Sequence, residues 1–136
     1  MIRIEKEDNW VTPEGVLSGV YIETRFLEKV VGGKVETIIR PIFQVTSLAS
    51  PRYNYLVAKN YRLSEPQKFQ ADFENWLGDA FYDLADKDGT ISRESFDSLV
   101  GKEADLQMVH IPNEGHKAPF SHLVTIAPSG SLTRQN

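Results

Sequence analysis

Residues 63–81 read LSEPQKFQADFENWLGDAF, and this stretch decides the fold. Phe69, Phe73, Trp76, Leu77, Ala80 and Phe81 recur at i, i+4, i+7, i+8, i+11 and i+12, one face of a helix with about 3.6 residues per turn. Ser64 is the expected N-cap, and Gln67 completes a capping-box pattern. Pro66 falls in the first turn, where its missing N–H costs nothing, and Glu65 suits the positive end of the helix dipole. Gly78 is the expected end of the regular helix. A helix this short is marginal alone in water. Its aromatic face therefore requires a sheet to cover, and strand-like sequence lies on both sides.

On the N-terminal side, residues 17–30 alternate. Val20, Ile22, Thr24 and Phe26 fall on one face; Tyr21, Glu23, Arg25, Leu27 and Lys29 fall on the other. Val31-Gly32-Gly33-Lys34 is a hairpin signal, and residues 35–46 form the partner strand. Pro41 removes one ladder donor there, which predicts an edge position or a bulge. Residues 47–52 form a loop. Residues 53–63 read as a third strand, with Tyr53, Tyr55, Val57, Lys59 and Tyr61 on one face and Asn54, Leu56, Ala58, Asn60 and Arg62 on the other.

On the C-terminal side, residues 82–97 are acidic and link to a helical turn around Arg93–Leu99, which Gly101 ends. Residues 103–111 and 120–127 read as two more strands, joined by the turn Pro112-Asn113-Glu114-Gly115. Residues 1–16 are expected to be an arm whose Trp10 docks on the core, 17–128 the domain, and 129–136 a flexible tail. Three strands, a helix, then two strands is the plan of an OB-fold. The expectation is a mainly β protein: a five-stranded Greek-key barrel with one helix between strands 3 and 4.

At 136 residues the chain makes one domain, long enough to bury about two-thirds of its unfolded surface without staples. There is no cysteine, which excludes disulfides, thiolate nucleophiles and cysteine-based zinc sites. That fits a reducing compartment, so a cytoplasmic protein is expected. The opening MIRIEKEDNW holds no apolar run of signal-peptide length, and no stretch reaches membrane-spanning length, so no membrane partner is expected. Net charge is −4, but it is segregated. Residues 18–63 hold seven Lys/Arg against three Glu, net +4, while residues 65–97 hold three Lys/Arg against nine Asp/Glu, net −6. Such a field attracts a polyanion to one face only.

Several motifs fall short of the chemistry they suggest. With Gly89 at position 6 of a calcium loop, Asp88 and Asp86 take positions 5 and 3. Position 1 is then Leu84 and position 12 is Ser95, so the bidentate ligand is missing and an ordinary acidic turn is expected. His110, His116 and His122 lack an ordered second shell, although His110 and His122 can face each other on a hairpin. No Ser/His/Asp elbow, Walker loop or dinucleotide fingerprint is present. No cofactor, no metal and no enzymatic activity are expected.

The strand half holds the remaining candidates. Single-strand binders combine stacking platforms with a cationic groove. Tyr21, Arg25 and Lys29 share a face of the first strand; Tyr53, Tyr55, Lys59 and Tyr61 share a face of the third; Arg40 and Arg52 flank them. In an OB-fold this region forms the ligand surface. The competing use for such tyrosines is core packing or a subunit interface.

Leu63–Leu77, then Phe96-Asp97-Ser98-Leu99-Val100-Gly101-Lys102, then Met108-Val109-His110, resemble small uncharacterised proteins encoded by phages and mobile elements. The similarity covers roughly residues 53–128. It departs from that family's basic helix, since this one carries Asp72, Glu74 and Asp79. The resemblance implies an OB-like fold and a place in DNA replication or recombination, with no catalytic residues. The expectation is a non-enzymatic single-stranded DNA-binding protein. The alternative is a protein-interaction or oligomerisation module with a protein partner or a second copy.

Overall fold

A glycine pair makes the hairpin that starts the sheet. β1 (Gly15–Val31) and β2 (Lys34–Val45) are joined by Gly32 and Gly33, with φ of 58° and 79°. Both central residues of a tight hairpin turn of matching twist need positive φ, which glycine adopts without strain. The structure is a computed structural model that describes residues 13–47, 55–112 and 120–132. The arm over residues 1–12 with Trp10, the loop residues 48–54, the turn residues 113–119 and the last four residues lie outside the described ones.

β1 serves two neighbours. Its start pairs antiparallel with β5 (Glu103–Ile111) over Gly15–Val20, and from Gly19 onward it pairs with β2. Where the two ladders overlap, a Cβ on Gly19 would meet Leu106 Cδ1 at 2.6 Å and the Gln44 carbonyl oxygen at 2.9 Å. Only glycine lets the strands approach that closely. Just beyond, Tyr21 opposes Phe43 while Glu23 opposes Ile42, so Ile22 is the extra residue of a bulge.

Pro41 acts on the other side of β2. Thr37 O accepts from Leu63 N, and Val45 N donates to Tyr55 O, so the odd residues of β2 direct their backbone toward the third strand. Pro41 is one of them and has no N–H to give. The third strand breaks opposite it into β3 (Leu56–Ala58) and β4 (Tyr61–Arg62), both paired to β2. The edge position or bulge expected at Pro41 is thus a ladder gap in an inner strand instead, and the bulge itself lies on β1.

α1 (Gln67–Leu77) begins after Pro66, which caps it without a side-chain bond. The expected Ser64 cap does not form: Ser64 Oγ donates to Glu36 Oε1 at 2.7 Å, tying the helix entry to β2. Gly78, with φ of 62°, ends the helix as expected, and a 3-10 segment continues over Gly78–Leu84. Trp76 Nε1 donates to the Glu103 carbonyl and Asn75 Nδ2 to the Ile126 carbonyl, each at 2.9 Å. These bonds fix α1 across β5 and β6 (Phe120–Pro128). Phe43, Phe73, Leu106 and Ile126 are fully buried between helix and sheet. Removing that much aromatic and aliphatic area from water is the main stabilising term. α2 (Arg93–Asp97) is one turn, capped by Ser92 Oγ accepting from Ser95 N.

The described strands form one antiparallel sheet in the order β3-β2-β1-β5-β6, with β4 beside β2. It is mainly β as expected, but it has six strands rather than five and is not closed among the described residues. Among the described residues the interrupted third strand forms no ladder with β6.

Candidate functional site

The bulge at Ile22 decides what the strand half presents. It reverses the alternation of β1, so Tyr21 turns inward while Glu23, Arg25, Leu27 and Lys29 remain outward. Tyr21 is 1% exposed, with its ring edge-on to Phe43 at 5.7 Å and tilted on Trp76 at 6.1 Å. Burial pushes its phenol up to about 12, against a hydrogen bond with Thr24 that lowers it. Tyr61 is 3% exposed and lies edge-on to Phe69. Burial, then the hydrogen bond its hydroxyl donates to Asp72 Oδ2 at 2.6 Å, raise its phenol far above the ordinary range. Tyr55 is half-buried against the core. The tyrosine face of the third strand is therefore the core face.

The cations of the outer face sit apart from these rings, whereas Lys59 Nζ lies 5.4 Å from the centre of the Tyr61 ring. Arg25 and Arg40 are register partners on the outer face. Arg25 Nε is 2.8 Å from Glu23 Oε1, and Arg40 Nε donates to Asn60 Oδ1 at 2.7 Å. Lys29 is exposed on the same face. Lys59 turns to the other side, with Nζ 2.7 Å from Asp72 Oδ2. Arg52 and Tyr53 lie outside the described residues. The structure thus gathers Lys59 and Tyr61 around Asp72, and Arg25 with Arg40 over Ile42 and Leu56. It does not bring the cations of the outer face together with Tyr21 or Tyr61.

A different feature has the form of a binding site. Beneath the far half of the β1–β2 hairpin lies a cleft of about 540 Å³. Phe26, Leu63, Phe69, Phe81, Ile91 and Phe96 are among the residues that line it. Phe26 is 44% exposed, Leu63 51% and Tyr82, at the mouth, 55%. Exposed apolar side chains converging on a cleft are what ligand and partner sites present. The Glu74 carboxylate, accepting from the Tyr82 hydroxyl, holds that phenol above its usual range. Phe69 and Phe81 were legible in the sequence as helix face. Phe26, Leu63 and Ile91 were not, because they come from three separate segments that only the fold brings together.

The acidic turn forms one wall of this cleft. Asp86 Oδ1 accepts from Asp88 N at 2.9 Å and Thr90 N at 3.0 Å, and Ala85 bridges to Ile91. That Asx-type closure places Ile91 against the aromatic wall. Leu84, at the first position of the supposed calcium loop, is buried. Among the described residues no group of three or more His, Asp or Glu side chains is placed to hold a metal. Val109 pairs with His122 and His110 with Ser121, so the two histidines lie on opposite faces instead of facing each other. His116 lies outside the described residues. No described helix is long and apolar enough to cross a membrane. Compared with protein-family models and with curated proteins, the chain matches none.

Proposed function

We propose that this chain is a protein-interaction module, not an enzyme, whose cleft receives an aromatic or aliphatic side chain from a basic segment of a partner protein. The observation that carries this reading is the apolar cleft under Phe26. Its volume suits one large side chain and its flanks, and its lining is mainly apolar, with polar side chains only at Gln70, Tyr82 and Thr90. The charge of the partner follows from the acidic residues of the segments that line the cleft. Asp79 and Asp83 on the 3-10 segment, and Asp86 and Asp88 on the turn, are all exposed. Lysine or arginine beside the anchoring side chain meets complementary charge there.

An OB-like plan remains part of the reading, supported by the strand order and by a helix preceding β5. So does a cytoplasmic setting, supported by the absence of cysteine. The place beside DNA replication or recombination of mobile elements is supported by resemblance alone. It fits a module that engages a basic partner protein.

Fluorescence anisotropy tests the reading. A labelled peptide with tryptophan between lysines is titrated with protein, beside the same peptide with glutamates and a labelled single-stranded oligonucleotide at two salt concentrations. The lysine peptide is expected to bind at least about tenfold tighter than the glutamate peptide, and Ile91→Glu is expected to abolish binding. Oligonucleotide binding that weakens steeply with salt, with neither peptide bound, favours the single-strand reading instead.

A further inference from the structure

β1 carries a second feature: a backbone edge that no described residue covers beyond Tyr21. The even residues of β2 point their backbone to β1, where they meet Glu23, Arg25, Leu27, Lys29 and Val31. Thr24, Phe26, Glu28 and Val30 therefore direct their N–H and C=O groups to the opposite edge. That edge is covered as far as Tyr21, whose N–H donates to Lys102 O and whose carbonyl accepts from Gly101 N, both at 2.9 Å. Beyond it, no described residue supplies a backbone partner from Thr24 to Val30. Phe26 and Val30 on this edge are 44% and 69% exposed. An open edge flanked by apolar side chains is a template for another strand.

We propose that the edge from Thr24 to Val30 pairs antiparallel with the same edge of a second copy of this chain, about a two-fold axis through Phe26. The charge pattern favours this occupant and, among axes at Arg25, Phe26, Leu27 and Glu28, this register. With the axis at Phe26, Glu23 faces Lys29 of the second copy, Lys29 faces its Glu23, and Arg25 faces its Leu27. The ring of Phe26 then meets its own counterpart, and Thr24 meets Glu28 of the second copy. With the axis at Arg25, that arginine opposes itself; at Leu27, Arg25 opposes Lys29; at Glu28, two carboxylates collide. Like charges directly opposite destabilise a strand pair and opposite charges stabilise it. Of these four registers only the one at Phe26 is free of like-charge pairs. Glu23 holds Arg25 through Oε1, which leaves Oε2 for the second copy's lysine. Lys29 is exposed; its cross-strand neighbour Glu36 is held by Arg62 Nε and Ser64 Oγ. The interface is isologous, so it closes at two copies. It does not rest on what the cleft receives.

Sedimentation equilibrium of the full chain tests the proposal. The mass is expected to rise with concentration from 15.4 kDa toward twice that value. Lys29→Glu sets two carboxylates opposite each other twice and is expected to weaken the dimer by at least about tenfold. The double exchange Glu23→Lys with Lys29→Glu is expected to restore it. Glu28→Pro removes an N–H that faces the open edge, where proline is tolerated, and is expected to leave a folded monomer. A mass of 15.4 kDa at every concentration overturns the proposal, as does a dimer that neither Lys29→Glu nor Glu28→Pro disturbs.

Discussion

Lys59 Nζ lies 3.0 Å from the carbonyl oxygen of Val124, and these two residues belong to opposite ends of the sheet. Lys59 follows β3 where Pro41 has interrupted the ladder. Val124 lies at a register shift in β6, between Leu123 and Thr125, which pair with Met108 and Gln107. The same ammonium holds Asp72 on α1, which also accepts from Tyr61. One lysine thus joins the third strand, the helix and the last strand where a backbone ladder would close a barrel. It occupies the Val124 carbonyl of the last strand, as Asn75 Nδ2 occupies that of Ile126.

Replacing Lys59 with methionine keeps the side-chain length and removes these bonds. The Asp72 carboxylate then loses its cation, and the Val124 carbonyl its donor. A loss of about 1–3 kcal/mol is expected, the cost of leaving partly buried polar groups unpaired. Urea unfolding measures it. Amide exchange near Val124 is expected to quicken more than exchange in β1. Unchanged stability would show that the bridge contributes nothing net.

Gly19→Ala tests the crossing of the two ladders. Its Cβ would lie 2.6 Å from Leu106 Cδ1 and 2.9 Å from a backbone oxygen. Leucine can rotate away, but the Gln44 carbonyl cannot leave the ladder. A loss of about 1–3 kcal/mol is expected, typical of overpacking. Thermal unfolding measures it, and a variant as stable as the parent would contradict the close approach of β1 and β2.

Alkaline pH reads the burial of Tyr21 and Tyr61. Both phenols are raised in the folded chain, Tyr21 to about 12, while an unfolded tyrosine ionises near 10. The folded state therefore keeps protons that the unfolded state releases. Stability is expected to be unaffected below about pH 10, then to fall by about 1.4 kcal/mol per pH unit for each tyrosine. Urea midpoints across this range, with tyrosinate absorbance followed in parallel, measure it. Ionisation of both residues near pH 10 in a chain that remains folded would place them at the surface.

The acidic turn is expected to be indifferent to calcium. Asp86 Oδ1 already accepts two backbone N–H groups, and Leu84 is committed to the core. Titration calorimetry is expected to give a flat trace. Asp86→Ala, by contrast, is expected to lower stability by about 1–2 kcal/mol through the loss of those bonds. A saturable heat with calcium would contradict this reading of the turn.

The elements themselves were legible in the sequence. Residues 103–111 were expected as a strand and form β5 over the same span, and the glycine pair after Val31 makes the expected turn. The helix ends at Gly78 as expected. What the sequence did not disclose was the sense of the faces. Alternation places Tyr21 with Arg25 only if β1 is unbroken, and the bulge at Ile22 has no glycine or proline to announce it. One inserted residue moved Tyr21 from the outer face to the core. For Tyr61 the pattern of its strand was ambiguous, because its two faces hold similar mixtures. The hydrogen bond to Asp72 and the ring of Phe69 settle it, and both come from α1 once it has packed against the strand. The cleft under Phe26 was invisible for a related reason. Its lining is assembled from residues that are adjacent only once α1, the 3-10 segment and the acidic turn have folded against the hairpin.

The most direct measurement is a map of amide and methyl chemical-shift changes while the lysine-flanked tryptophan peptide is added to isotope-labelled protein. If the cleft receives the anchoring side chain, the saturable changes will gather at Phe26, Leu63, Tyr82 and Ile91, leaving Arg25, Arg40 and Leu56 unmoved. Changes confined to Arg25, Arg40 and Leu56, with the cleft residues silent, would contradict the assignment and move the binding surface to the outer face of the sheet.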